Sequence, residues 1–276
     1  MGSSKEKKSH KKRRLGPSKK VNNTKRKKEK KVKKTPSNNG KSIEYVKSKS
    51  SKVKEDIVRF PTAAQQLMYF HQQYESTNRV QLSSIELDSF TETCMVELNP
   101  DQAQSSSALA DHMKVAFGPS WKEILCEKEL DGTVDPGQPA LLVVSLSALR
   151  SLDLLRELRP LTSECRAAKL FSKHMKIEEQ ASSLQNRVNI ASGTPSRIKK
   201  LIDMEALDLS RLAVIVLDMK SDAKGYSLLT LPQVRDEFWD LYRNYFHQRI
   251  LEGALRICLY DEIPANIKRK KNNEDD

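Results

Sequence analysis

From residue 140 onward, short apolar runs alternate with longer polar segments of helical period. The apolar runs predict strands over residues 140–146, 168–171, 187–191, 212–218 and 255–260. The segments between them predict helices over residues 147–158, 176–185, 194–202 and 232–250. A continuous apolar run such as 212–217 is typical of a strand that is covered on both faces. The pattern therefore predicts an α/β domain built on a doubly wound parallel sheet.

The pattern changes on the amino-terminal side of these strands. Pro61 and Thr62 open a helical pattern, so a domain is expected to begin near residue 55. A second helical region is predicted between residues 103 and 130, with Leu109, Met113 and Trp121 on its apolar face. Residues 131–139 contain many turn formers and predict a surface loop.

Charge divides the chain more sharply than hydropathy does. Residues 1–54 carry 22 Lys and Arg against 3 Glu, a net charge of +19, whereas the whole chain carries +13. The other 222 residues hold 27 basic and 33 acidic side chains. A segment with so much charge of one sign cannot bury enough apolar surface to order itself. We therefore expect a disordered basic tail (1–54), a folded domain (55–265) and a disordered charged C-terminal tail (266–276).

Two clusters in the tail predict contacts with nucleic acid. They consist of Lys11, Lys12, Arg13 and Arg14, and of Lys25, Arg26, Lys27 and Lys28. Such clusters release counterions when they bind a phosphate backbone, and they are also typical of import signals for the nucleus and nucleolus. The alternative is a solvated charge run, but a block of a single sign exceeds what solubility requires.

Several classes of protein are not expected. A membrane-spanning helix requires about 18 consecutive apolar residues, and no apolar run in the sequence approaches that length. Glu6 stands where N-myristoylation requires Ser or Thr, and the absence of an apolar secretory segment indicates a reducing compartment. The four cysteines are too scattered for a zinc site or a disulfide framework, so we expect no metal and no other cofactor.

The most informative stretch is 187–218, which predicts a strand, a helix and a buried strand ending in Asp218. Thr194 is expected to cap the helix, with Pro195 in its first turn. The helix start then attracts phosphate, and Arg197 adds a charged fork. The simpler interpretation is an ordinary helix start, because Thr followed by Pro is a common capping sequence.

This stretch resembles the first RecA-like domain of DEAD-box RNA helicases. The segment TPSR at 194–197 is similar to the Thr-Pro-Gly-Arg motif of those enzymes, and DMKSD at 218–222 falls where their Asp-Glu-Ala-Asp box lies. Residues 143–152 stand in place of an earlier RNA-contacting motif. The resemblance implies a P-loop NTPase-like domain in which Arg150, Gly193, Thr194 and Arg197 are candidate contacts for nucleic acid.

The departures from that pattern indicate a degenerate, non-catalytic domain. Met219 replaces the Glu that positions the attacking water, and no Gly-Lys-Ser or Gly-Lys-Thr occurs after the tail. Gly40-Lys41-Ser42 lies in the tail without a preceding strand. The chain also ends before a second RecA-like domain is expected. Asp218 is then a vestige that caps the end of its strand.

A more specific resemblance covers residues 58–262. The chain is similar to the ribosomal small-subunit assembly proteins called complementation of Mcm-ten suppressor. Its landmarks are QQLM at 65–68, IEL at 85–87, AKLFSKHMK at 168–176 and GTPSRI at 193–198. The resemblance implies a nucleolar assembly factor that is not an enzyme, with pre-ribosomal RNA and proteins of the small-subunit precursor particle as its partners. No membrane partner and no small-molecule substrate are implied.

Two other functions stay open at this point. An ATP-dependent RNA remodeller would need an atypical phosphate loop, for which residues 131–137 are the candidate. A factor associated with DNA or chromatin would use the same tail, because a polycation hardly distinguishes DNA from RNA. Simpler readings also stay open. Arg150 and Lys173 are then solvated helix charges, His174 is structural, and the aromatic residues between 238 and 246 belong to the core.

Overall fold

The computed structural model of the protein describes residues 57–58, 60–99, 107–127, 135–173 and 175–264. The basic clusters of the tail, His174 and the C-terminal segment 266–276 lie outside these residues. The boundaries proposed above for the two tails therefore remain predictions.

Five parallel strands form the central sheet, as the apolar runs predict. The strands among the described residues are β1 (Ile57–Val58), β2 (Leu141–Val144), β3 (Ala168–Leu170), β4 (Ile190–Gly193), β5 (Val214–Asp218), β6 (Arg256–Tyr260) and β7 (Ile263–Pro264). The sheet has the order β3-β4-β2-β5-β6, while β1 and β7 form a separate antiparallel pair. Every neighbouring pair in the larger sheet is parallel.

The strand predicted over residues 187–191 begins three residues later than expected. Asn189 is fully buried, but its side chain bonds outside the sheet, donating from Nδ2 to the Glu127 carbonyl oxygen at 2.8 Å. Its own carbonyl oxygen accepts from the N–H groups of Ala140 and Leu141. This residue therefore anchors the strand rather than belonging to it.

Helices cover both faces of the sheet. They are α1 (Ala63–Asn78), α2 (Ser84–Asp88), α3 (Ala108–Phe117), α4 (Trp121–Leu125), α5 (Ala148–Glu157), α6 (Ile177–Leu184), α7 (Pro195–Asp203), α8 (Pro232–Leu241) and α9 (His247–Leu251). None of the described helices combines the length and the apolar character that crossing a membrane requires.

Two apolar layers hold these helices on the sheet. Leu142 and Leu217 pack with α1, α6, α7 and α8 on one face, whereas Val143 and Val216 pack with α3, α4 and α5 on the other. Successive residues of a strand point to opposite faces, so each central strand must be apolar throughout. The prediction of a doubly wound parallel sheet is confirmed.

The predicted helix over residues 232–250 is interrupted by a π-helical turn, Tyr242–Phe246, between α8 and α9. The aromatic side chains around it are core, as the simpler reading held, except that Tyr245 is partly exposed and packs against that core. Trp239 and Tyr242 are at most 1% exposed, and both contact the ring of Phe70 at centroid distances of 5.0 and 5.2 Å. These contacts join α1 to the end of α8.

Candidate nucleic-acid interface

The carboxyl ends of the five parallel strands share one side of the sheet, called here the carboxyl edge. Thr194 follows β4 directly, Asp218 is the last residue of β5, and Ser145 follows β2. In open α/β sheets, groups that bind ligands gather at this edge. The prediction that Thr194 and Asp218 lie at the same edge is confirmed by the strand directions.

Thr194 precedes α7, but its side chain does not cap the helix as the sequence predicts. Its backbone is extended, and Pro195 is the first helical residue. The hydroxyl makes no capping hydrogen bond, because the Arg197 N–H donates instead to the Thr194 carbonyl oxygen at 3.1 Å. The helix start therefore leaves this hydroxyl unused at the carboxyl edge.

Gly193 is required by the packing of two strands. A Cβ atom on this residue would lie 2.1 Å from the Leu170 carbonyl oxygen and 2.6 Å from the Leu170 Cβ atom. The next residue, Thr194, donates its N–H to that carbonyl oxygen at 3.1 Å. The glycine thus has a structural role between β3 and β4, and its contact with RNA remains a prediction.

Arg197 is positioned by a buried glutamine that sequence analysis did not identify. Arg197 Nη1 donates to Gln180 Oε1 at 2.9 Å. Gln180 is 1% exposed, and its Nε2 donates to the carbonyl oxygens of Lys169 and Phe171, each at 2.8 Å. Arg197 itself is partly exposed, so its guanidinium is fixed at the carboxyl edge while it stays in reach of a ligand.

Arg150 and Asp218 form a bidentate ion pair at the same edge. Arg150 Nε donates to Asp218 Oδ2 at 3.0 Å, and Arg150 Nη2 donates to Asp218 Oδ1 at 2.7 Å. The Asp218 side chain is fully buried and that of Arg150 is 16% exposed. The reading of Arg150 as a solvated helix charge is therefore wrong. A contact of Arg150 with RNA remains a prediction, although its guanidinium already bonds the Asp218 carboxylate.

The pair is electrostatically constrained by its burial. Burial raises the pKa of Asp218, and the hydrogen bonds and charge of Arg150 offset part of that rise. Burial lowers the pKa of Arg150, but the hydrogen bonds and charge of Asp218, together with the charges of Asp261 and Glu157, outweigh this, so the pKa of Arg150 is raised overall. The guanidinium stays charged and acts as a permanent counterion for the carboxylate.

Three buried serines lie beneath this edge, and sequence analysis missed them too. Ser145 Oγ and Ser151 Oγ are 2.7 Å apart, and Ser145 Oγ also donates to the Ser147 carbonyl oxygen at 3.1 Å. Ser192 is buried beside them at the end of β4. The available signal was a polar residue at the end of an apolar run, which needs a partner once it is buried.

A short extended segment before α3 was also missed. Met95 bridges to Ile257 in parallel, and the Val96 N–H donates to the Ile257 carbonyl oxygen at 2.7 Å. This segment therefore adds to the sheet beside β6. Residues 99–107 connect it to α3, and they contain neither Gly nor Lys. Phosphate-cradling loops depend on both residue types.

The described residues of the segment 131–137, which are residues 135–137, do not lie where a phosphate loop is needed. The described end of this segment precedes β2, at the amino ends of the strands. Gly137 donates its N–H to Asn186 and accepts from the Asp208 N–H. A Cβ atom there would lie 2.6 Å from the Ala206 carbonyl oxygen. In the candidate phosphate loop 131–137, the described residues 135–137 therefore lie at the edge opposite Thr194 and Asp218.

Metal-ligating side chains are not gathered in the described part of the chain. No group of three or more His, Cys, Asp or Glu there has the arrangement of a metal site. All four cysteines are free thiols and buried. The residues that are brought together at the carboxyl edge supply hydroxyls, an amide, the Asp218 carboxylate and two guanidinium groups. Because Asp218 already pairs with Arg150, the guanidinium of Arg197 is the one left to bind an anion.

A family model described as "CMS1: U3-containing 90S pre-ribosomal complex subunit" matches residues 3–260. The chain belongs to the CMS1 family. The resemblance inferred from the landmarks at 168–176 and 193–198 is thereby confirmed.

Relatives of the CMS1 family are found in several organisms. Protein CMSS1 of Danio rerio is 30% identical over 189 residues, which are 68% of this chain and 61% of that protein. Protein CMSS1 of Homo sapiens is 27% identical over 209 residues, 75% of this chain and 68% of the human protein. The match thus spans less than two thirds of the length of the fish relative.

Two solved structures of DEAD-box proteins are similar to this CMS1-family chain. The yeast splicing factor Prp28 has 17% identity and a TM-score of 0.37, over 56% of this chain and 33% of that one. A protein from Methanococcus jannaschii has 16% identity and a TM-score of 0.35, over 67% and 49%. Because both TM-scores are below 0.5, the fold is assigned from the strand order of this chain and not from these two structures.

Proposed function

We propose that this CMS1-family chain is a non-catalytic, RNA-associated assembly factor of the small-subunit precursor particle, and that it acts in the nucleolus. The observation that carries the proposal is the family match over residues 3–260, which includes the basic tail as well as the folded domain. The description of that family as a subunit of a U3-containing pre-ribosomal complex supports pre-ribosomal RNA and particle proteins as the partners.

The Arg150–Asp218 pair supports the non-catalytic part of the proposal. Nucleotide hydrolysis in P-loop proteins needs a carboxylate that helps hold Mg²⁺ and a loop that cradles the phosphates. Here Arg150 occupies both oxygens of the Asp218 carboxylate, and the connection into α3 lacks Gly and Lys. A degenerate RecA-like domain over residues 55–265 is therefore proposed to act as a docking body, with no small-molecule substrate.

Charge and geometry support the contact with RNA. The tail supplies a net charge of +19 in residues 1–54, which favours sequence-independent binding to a phosphate backbone. On the domain, the uncommitted Thr194 hydroxyl and the fixed guanidinium of Arg197 belong to residues at the carboxyl edge. We propose that the tail provides most of the affinity, and that this edge provides a local contact.

Calorimetric titration of the full-length chain with ATP and ADP in Mg²⁺ buffer tests the non-catalytic proposal. We expect no saturable heat at millimolar nucleotide, because neither the carboxylate nor the loop is available to hold the phosphates. A parallel titration with single-stranded RNA shows that the same sample binds ligand. Micromolar affinity for ATP would overturn the proposal and favour the ATP-dependent remodeller.

A further inference from the structure

We infer that Arg187 and Arg211 form a phosphate-binding site at the amino ends of β4 and β5, at the edge of the sheet opposite the carboxyl edge where Thr194 lies. We call these two residues the amino-edge arginine pair. The choice of RNA as the source of the phosphate rests on the proposed function. The site itself rests on the geometry of the two side chains.

The two guanidinium groups converge on one buried atom. Arg187 Nε and Arg211 Nη1 both donate to Asn189 Oδ1, each at 3.1 Å. Asn189 is fully buried, so the shared acceptor cannot move away. Two groups of the same charge are therefore held side by side by the fold.

No carboxylate compensates this charge among the residues that the structure describes. The ion pairs found there, within 4.0 Å, include neither Arg187 nor Arg211. Burial lowers the pKa of Arg211, and the charge of Arg187 lowers it further. Arg150 differs, because Asp218 neutralises the charge of its guanidinium. This fold can therefore supply a carboxylate partner to a buried arginine.

Of the two arginines, Arg211 alone uses its guanidinium to connect separate segments of the backbone. Arg211 Nη1 and Nη2 donate to the carbonyl oxygens of Gln138 and Ile124, at 3.1 and 2.7 Å. These bonds tie the start of β5 to the segments around it. Arg187 makes no comparable tie, and its Nη2 is buried without a hydrogen-bond partner. A buried donor without an acceptor is costly, which indicates that an acceptor is missing.

A phosphate group fits this arrangement better than a single neutral acceptor does. Its oxygens point in several directions, so one phosphate can accept from the Nη edge of Arg187 while Arg211 supplies a second positive charge behind it. Arg187 as a residue is partly exposed, whereas its Nη2 is enclosed, so the end of the side chain must turn toward the surface to meet the phosphate. With RNA as the ligand, the site provides a second anchor far from the Thr194 side of the sheet.

Thermal unfolding of the full-length chain, followed by tryptophan fluorescence, separates this site from the tail. A ligand stabilises a protein only when it binds the folded state better than the unfolded state. RNA held by the tail equally in both states leaves Tm unchanged, whereas RNA held by the arginine pair raises it. We expect a rise of about 3 °C for the wild type at RNA concentrations about tenfold above Kd.

The decisive variant is Arg187→Gln, with Arg235→Gln as the control of equal charge on α8. We expect Arg187→Gln to abolish the rise caused by RNA, and its Tm without RNA to match or exceed that of the wild type, because the repulsion of Arg211 is relieved. Arg235→Gln should keep the full rise. If Arg187→Gln does not fold, Arg187→Lys replaces it and should lose at least half of the rise. Retention of the full rise by the variant used overturns the inference.

Three ligands distinguish the source of the phosphate. An equal rise with 5′-hydroxyl and 5′-phosphorylated RNA supports a backbone phosphate, and a rise with 5′-phosphorylated RNA alone overturns it. A rise with a phosphoserine peptide but none with RNA also overturns it. If RNA binds by direct titration without raising Tm, this inference fails while the proposed function stands. If RNA does not bind at all, the proposed function fails.

Discussion

Three arginines of this domain show how differently one side chain is used. Arg150 is paired with a buried carboxylate, Arg197 is oriented by the amide of Gln180, and Arg211 is held by carbonyl oxygens. Only the first has its charge neutralised by its partner. The charge of the other two remains available to a ligand, which is why the anion-binding proposals concern them and not Arg150.

Removing either partner of the Arg150–Asp218 pair should have unequal effects on stability. Arg150→Met leaves a fully buried carboxylate without a counterion, and we expect it to lower the free energy of unfolding by about 3–5 kcal/mol. Asp218→Leu leaves a guanidinium that is 16% exposed and can turn toward water, so we expect a loss of about 1–3 kcal/mol. Urea denaturation of both variants measures these losses.

The double variant Arg150→Met/Asp218→Leu completes this comparison. It removes both charges together, so we expect it to be more stable than Arg150→Met alone. Losses that simply add in the double variant, or a larger loss for Asp218→Leu than for Arg150→Met, would show that the pair does not behave as a buried ion pair.

At this scale the sequence predicted which residues reach the carboxyl edge, but not what they contact. Thr194 and Asp218 each follow an apolar run, so their places could be inferred from the strands. The partner of Asp218 is 68 residues away, on the helix after β2. Only the order of strands brings them together, and a single sequence does not fix that order. The same reason hides Gln180 from Arg197.

Among the elements, the β3–β4 pair depends on one residue without a side chain. Gly193 faces Leu170 so closely that a methyl group would overlap a backbone oxygen, at 2.1 Å. Backbone atoms of a parallel strand pair cannot give way as the end of a flexible side chain can. The glycine therefore fixes how close β3 lies to β4.

Gly193→Ala should destabilise the domain by about 3 kcal/mol or more, because the two strands must separate to admit the methyl group. Gly225→Ala serves as the control. No atom lies within 4 Å of its added Cβ, and only its positive φ of 84° opposes the change, at about 1 kcal/mol. Equal losses in thermal unfolding would contradict a packing role for Gly193.

Long elements were predictable from periodicity, and short ones were not. The strands and helices after residue 140 repeat a clear pattern of apolar runs and helical segments. The segment at Met95 joins the sheet through a single bridge, which is too short for a pattern. The π-helical turn was hidden for a different reason, since its aromatic residues fit an uninterrupted helix equally well.

On the scale of the whole molecule, charge of opposite sign is divided between two parts of the chain. The tail holds 22 basic residues, while the remainder carries an excess of acidic ones. RNA affinity should therefore depend on the tail. Removal of residues 1–54 is expected to lower that affinity at least about tenfold near 0.1 M salt, and to flatten the dependence of log K on log salt concentration.

Fluorescence anisotropy with labelled RNA at several salt concentrations measures both quantities. A matched variant replaces only Lys11, Lys12, Arg13, Arg14, Lys25, Arg26, Lys27 and Lys28 by Gln and keeps the length of the tail. It should lose part of the affinity and part of the slope. Unchanged binding after removal of residues 1–54 would place the RNA contact on the domain instead.

The ion pair at the carboxyl edge also bears on how such a domain can change during evolution. A mutation that frees Asp218 by removing Arg150 passes through a chain that is less stable by about 3–5 kcal/mol, a large share of the about 5–15 kcal/mol that holds most domains folded. Selection for folding alone therefore opposes any change that frees this carboxylate. Under the proposed non-catalytic function, stability would then preserve the pair even where a free carboxylate was advantageous.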